Sequence, residues 1–217
     1  MKVWKLILWM LFLTIFFILL VASIGDVFEV VINNYARYLW FIMGGILVIF
    51  LNFLNKKNRD ILMKSHNELT RMFLDFITFK EILRIKVDKH KGSVESTGNN
   101  IMEESVALAP YCLPLLAYVV MIFGYFFAKD MSYVFFILLG MAYTFHLLCI
   151  KFDFRSFKEM GRHLEDINRF PLIFSYFYIL CFWLFNTMIV LVAIRSNVFG
   201  AFAFMFESFM QTVTNIF

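Results

Sequence analysis

Charge is scarce in this sequence. Only 17% of its 217 residues are Asp, Glu, Lys or Arg, while 62% are hydrophobic. Soluble domains sit nearer about a quarter charged and about half apolar. The deficit excludes an ordinary water-soluble globule, because the apolar excess needs a non-aqueous solvent to hide in. Phe alone supplies 30 residues, more than one small aqueous core could bury. Cysteine is also sparse: Cys112, Cys149 and Cys181 lie in or beside apolar runs without C-x-x-C spacing. That excludes a disulfide framework or a thiolate zinc site and leaves three small buried hydrophobes. No internal repeat and no low-complexity linker is present. No basic domain face exists for nucleic acid. The net charge of +4 comes from basic loops, which suit anionic lipid headgroups. No small-x-small cleavage site follows the apolar stretch Met1 to Ile24, which is also too long for a secretory h-region, so a retained span is expected there.

What is abundant is apolar runs of spanning length. About 20 apolar residues cross a bilayer as a helix, and Trp4–Ile24, Tyr38–Leu54, Leu108–Ala128, Ser132–Ile150 and Phe170–Ile194 qualify. The second is the shortest and needs Tyr38 and Trp40 as interface anchors. Pro171 opens the fifth run at a first-turn position, where a missing N–H is harmless. Pro110 and Pro114 fall in the first turns of the third run, where they shape its entry. The expected fold class is an all-α polytopic membrane protein with five to six transmembrane helices. Lys and Arg set its sidedness. Seventeen of the twenty fall on one side, namely Lys2, Lys5, those of 55–107 and those of 151–169. Only Arg37, Lys129 and Arg195 fall on the other. This places the N-terminus and both long loops in the cytoplasm, and suits a multi-pass protein of a bacterial inner membrane.

Three segments stand apart from the runs. Ile61–Phe79 is moderately apolar but carries Lys64, His66, Glu68, Arg71 and Asp75. It is too polar to face lipid, and reads as a cytoplasm-facing or re-entrant helix. Spanning fully, it would be the sixth crossing. Within Lys80–Thr97, Ile82, Ile85 and Val87, a Lys-Gly pair at 91–92 and then Val94 suggest a short β-ribbon. The aromatic tail Val198–Phe217, with Glu207 as its only charge, fits an interfacial amphipathic helix or a partner contact. The chain accordingly divides into an N-terminal membrane anchor over 1–59, a membrane core over 60–195 and a hydrophobic tail over 196–217.

Several of these stretches carry a resemblance. Ser65-His66-Asn67-Glu68-Leu69-Thr70-Arg71 is similar to the S-H-E-L-T-H-A zinc motif of the site-2-protease-like intramembrane metallopeptidases. Gly92-Ser93-Val94 through Thr97-Gly98-Asn99 resembles that family's ribbon after the motif helix. Leu108-Ala109-Pro110-Tyr111-Cys112-Leu113-Pro114-Leu115 resembles its L-A-P-Y-F-F-P-L helix start, and Leu139-Gly140 to Phe145-His146-Leu147-Leu148 its G-x-x-x-x-F-H-L span. Glu165-Asp166-Ile167, Phe174-Ser175 and Asn186 resemble its Q-x-D-[IL]…F-S…N ending. The five stretches keep the family's order over roughly residues 60–190. The resemblance implies a peptidase-like membrane core in which Asp166 matches a carboxylate that helps complete the metal site.

The departure from the family matters as much. Zinc peptidase chemistry needs two neutral imidazoles at i and i+4, with a Glu between them to activate the metal-bound water. Aligning Glu68 with that base puts Asn67 and Arg71 at the two imidazole positions. Asn is a poor zinc ligand and Arg repels the ion. Sliding the register pairs His66 with Thr70, and no H-E-x-x-H occurs anywhere. Glu68 and Arg71, at i and i+3, are spaced to form an ion pair instead. The expectation is a non-catalytic relative that binds no cofactor and acts as a scaffold or partner-binding subunit among other membrane proteins. The alternative is an active zinc peptidase with His66, His146 and Asp166 as unusual ligands. A transporter has no support in the spans.

Plainer readings exist for each residue. His66 and Glu68 fit the polar face of a surface helix, His146 and Asn186 fit helix-to-helix hydrogen bonding, and Asp166 fits a solvated loop. Gly140 and Thr144 have the small-x-x-x-small spacing of close helix contacts.

Overall fold

A computed structural model describes residues 3–54, 56–77, 81–87, 92–97, 108–127, 133–159 and 172–216. Helices dominate: α1 (Val3–Ala22), α2 (Ile24–Asn33), α3 (Tyr35–Leu54), α4 (Lys56–Ile77), α5 (Leu115–Phe127), α6 (Tyr133–Glu159), α7 (Leu172–Arg195) and α8 (Val198–Ile216). Between α4 and α5, β1 (Glu81–Val87) pairs antiparallel with β2 (Gly92–Thr97), Val87 opposite Gly92 and Glu81 opposite Thr97. A single 3₁₀ turn, Ala109–Tyr111, precedes α5. Among the described residues four helical stretches are long and apolar enough to cross a membrane: Ile7–Asn33, Tyr35–Leu54, Tyr133–Lys151 and Phe174–Arg195. Their large side chains are exposed in bulk, Phe12, Ile46 and Phe50 among them, as expected where lipid is the solvent.

The first stretch is longer than its hydropathy suggests. Ser23 donates its hydroxyl to the Leu19 carbonyl at 2.9 Å, so the joint between α1 and α2 keeps its polar groups satisfied within the helix. The third apolar run behaves oppositely. Pro110 and Pro114 hold the chain in the 3₁₀ turn, and the regular helix begins only at Leu115, with the Tyr118 N–H donating to the Pro114 carbonyl at 3.1 Å. Its 13 residues rise about 20 Å at about 1.5 Å per residue.

The centre of the molecule is the α3–α6 pair. Residues 40, 44 and 45 of α3 meet residues 133, 137 and 144 of α6 in ascending order, so the two helices run parallel. A Cβ on Gly44 would collide with the Ile137 carbonyl, and one on Gly140 with the Phe41 carbonyl. Gly45 lies against Thr144, whose hydroxyl oxygen would be 2.6 Å from an added Cβ. The small-residue spacing at Gly140 and Thr144 is thus used for backbone contact. Helix α5 returns antiparallel to α6. Gly124, near its end, abuts Phe135, while Tyr111, before its start, shares a groove with Leu147 and Lys151.

Helix α7 packs against α1, α2, α5 and α8, burying Cys181, Ile189, Val190 and Ile194. Hydrogen bonds tie it sideways. The Arg37 guanidinium donates to the carbonyls of Ile194 (3.3 Å) and Arg195 (2.9 Å), and the Tyr38 hydroxyl to Leu191 (2.6 Å). Arg37 therefore occupies the negative end of the α7 dipole. Its guanidinium carbon also lies 5.8 Å from the Phe136 ring centre, within cation–π range. Tyr143 and Thr187 hydroxyls bond at 2.6 Å, and Tyr118 donates to the Asn186 side-chain oxygen. Asn186 is thus a cross-helix tether.

The tail does not lie apart from the bundle. Helix α8 is capped by Asn197, whose side-chain oxygen accepts the Gly200 N–H at 2.8 Å. It packs Val198, Ala201 and Met205 into the core. Farther along, the Ser208 hydroxyl reaches the Ser23 hydroxyl at 2.8 Å and the Asp26 carboxylate. The tail's polar residues thus close a hydrogen-bonded joint with the α1–α2 junction.

Gly140→Ala should therefore destabilise the detergent-solubilised protein by about 1–3 kcal/mol through overpacking. Gly25→Ala, where an added Cβ meets nothing within 4 Å, should be neutral or stabilise by up to about 1 kcal/mol. Denaturation in mixed micelles measures both, and equal effects would show that the α3–α6 contact is not tight.

Candidate functional site

Helix α4 reverses the usual arrangement of a surface helix. Its polar residues His66, Asn67, Glu68 and Thr70 are buried together with Met63, whereas Ile61, Leu62, Leu69, Phe73 and Phe76 are exposed. The reading of His66 and Glu68 as a solvated polar face is thereby corrected. The helix packs on the β1–β2 ribbon, the 3₁₀ turn and α6. A helix with lipid or an interface outside and protein inside gains by presenting its apolar residues outward.

The buried side meets α6 at His146. The His66 and His146 ring centres are 5.9 Å apart with planes at 75°. Phe145 stands edge-on to His66 at 5.4 Å. His66 is 4% exposed and His146 fully enclosed. Nε2 of His66 and both ring nitrogens of His146 make no hydrogen bond among the described residues. The expected interhelical hydrogen bond of His146 is therefore not formed there. Thr70 is satisfied locally, donating to the His66 carbonyl at 3.0 Å. Burial pushes the His66 imidazole down to about 4, because the charged form loses its hydration. His66 is thus neutral at physiological pH, with a lone pair free for proton or metal.

Of the residues singled out in the sequence, the structure brings together His66 and His146 and buries Asn67 and Glu68 on the same helix. Asp166 and the Arg71 side chain lie outside the described residues, and with them the Glu68–Arg71 pairing. Among the described residues no three of His, Cys, Asp and Glu gather around a point where a metal could sit. An apolar groove of about 370 Å³ opens between the 3₁₀ turn, α6 and α7, lined by residues that include Tyr111, Leu147, Lys151, Tyr176, Leu180 and Trp183 but neither histidine. Sequence reasoning did not single out Met63, which is buried one turn before His66. The only signal was the three-residue spacing that puts both on one helix face.

No protein-family profile, curated protein or solved structure matches this chain.

The burial of His66 has a pH consequence. Its folded value is depressed below the unfolded value of about 6.5, so its contribution to stability is intact above about pH 6.5 and is lost as pH falls toward 4. His66→Gln removes that dependence. The stability difference between wild type and variant, in metal-free detergent buffer, should shift by up to about 3 kcal/mol between pH 7 and pH 4. A difference that stays flat across that range would mean the imidazole is hydrated.

Proposed function

We propose that this chain is a non-catalytic relative of the site-2-protease-like intramembrane metallopeptidases, retained as a scaffold or partner-binding subunit of a membrane assembly. The observation that carries this reading is the inward-facing polar side of α4. His66, Asn67, Glu68 and Thr70 are held in a buried position against a membrane span, where the family resemblance locates a catalytic centre. Asn67 and Arg71 stand at the two imidazole positions, and an H-E-x-x-H centre cannot form from them. The ribbon after α4 and the proline-shaped start of α5 accord with the same frame.

The topology that fits is five crossings with the N-terminus inside a bacterial inner membrane. Parallel α3 and α6 require the chain to return between them. Helix α5, antiparallel to α6, is the apolar element available for that return. The Lys and Arg bias then puts the His66–His146 end at the cytoplasmic side, close to Lys151.

Two experiments test the reading. Installing both histidines, Asn67→His with Arg71→His, should create a zinc site of about one equivalent where the parent has none. A double variant that binds no more zinc than the parent would remove the peptidase frame from consideration. Purification of the native-level protein in mild detergent should retain a second membrane protein in fixed stoichiometry, and a chain that runs strictly alone would sink the scaffold role.

The proximity of His66 and His146 favours one second reading, an active peptidase with His66, His146 and Asp166 as zinc ligands. Purified protein carrying less than about 0.1 equivalent of zinc would end it.

A further inference from the structure

Among the described residues, the His66–His146 pair is left with three ring nitrogens without a hydrogen bond in a buried setting. An unsatisfied buried donor or acceptor costs about 1–3 kcal/mol, so such a site calls for an occupant. The rings do not satisfy one another, since no N–H···N bond links them. An imidazole nitrogen binds a metal at about 2 Å and its ring centre lies about 1 Å farther back. Two rings on one ion then have centres about 5 Å apart at a tetrahedral angle and about 6 Å apart in line. The observed 5.9 Å lies near the in-line end of that range.

We infer that His66 and His146 together bind a soft monovalent metal ion, copper(I), between α4 and α6. Three features select this ion. A closed-shell monovalent ion accepts two donors in a near-linear arrangement, whereas zinc seeks four, and among the described residues no third His, Cys or carboxylate joins the pair. The penalty for burying an ion grows with the square of its charge, so a single positive charge is far cheaper to enclose than two. Met63, buried one turn before His66, offers a thioether on the same face, a donor type that suits copper(I). The site uses neither Asn67 nor Arg71, the positions aligned with the family's two imidazoles, and requires no peptidase activity.

The full chain in detergent, stripped of metal, is titrated anaerobically with copper(I) against a chromophoric chelator, and in parallel with zinc. One equivalent of copper(I) should bind. His66→Gln and His146→Gln should each weaken it by at least about 100-fold, while Met63→Leu weakens copper(I) and leaves any residual zinc binding unchanged. X-ray absorption of the loaded wild type should show imidazole scattering, which keeps the test decisive if a variant fails to fold. Copper(I) binding that survives both histidine substitutions overturns the inference. So does sulfur-only coordination, a preference for zinc, or a wild type that binds nothing because water alone bridges the rings. Loss of copper(I) binding or sulfur-only coordination leaves the scaffold reading untouched, since that rests on the engineered zinc site and the retained partner, whereas a preference for zinc would favour the peptidase alternative instead.

Discussion

The bundle depends on the backbone contact between α3 and α6. Apolar burial gives little drive to bring helices together in a bilayer, since lipid tails are as apolar as Leu. What remains is close packing and interhelical hydrogen bonding. Gly44, Gly45 and Gly140 strip the interface to bare backbone, so many weak dispersion contacts accumulate there. Once α3 and α6 are parallel and in register, several other placements follow. Helix α5 must fold back along α6, α7 is reached by Arg37 and Tyr38 at the start of α3, and the lower part of α6 presents His146 to α4.

Hydrogen bonds then fix what packing leaves loose. Tyr38, Tyr118 and Tyr143 each send a hydroxyl to a neighbouring element, and each such bond in a membrane contributes about 1 kcal/mol. Against this background of satisfied polar groups, the open nitrogens of His66 and His146 stand out. Fold-building side chains elsewhere in the described bundle find partners, while Nε2 of His66 and both ring nitrogens of His146 do not.

Much of this was legible in the sequence, and the exceptions have physical causes. The apolar runs gave the helices of the bundle, because length and hydropathy are one-dimensional properties. The small-residue spacing at Gly140 and Thr144 gave the contact face of α6. Helix ends were harder. Pro110 and Pro114 delayed α5 to Leu115, since two prolines in five residues favour a turn over a long helix start. The spread of α4's charges looked like a solvated stripe, because periodicity does not say which face meets protein when the solvent outside is apolar. His66 and His146 were each visible as candidates. Their separation of 5.9 Å is a property of helix docking that the 79 intervening residues cannot disclose. The destiny of the tail was equally hidden, because a helix with one apolar face can cover lipid or protein.

The joint of Ser208 with Ser23 and Asp26 spans 185 residues of sequence. It belongs to the last helix of the described chain and to the first membrane stretch. During synthesis the polar groups at the α1–α2 junction emerge before α3, α5, α6 and α7 are made, and Ser208 follows only after them. A polar side chain without a partner is costly in hydrocarbon, so the junction gains its full set of hydrogen bonds only when α8 docks. The joint therefore closes only once the helices between its two sides have been made, and it ties the docking of α8 to the placement of α1 and α2.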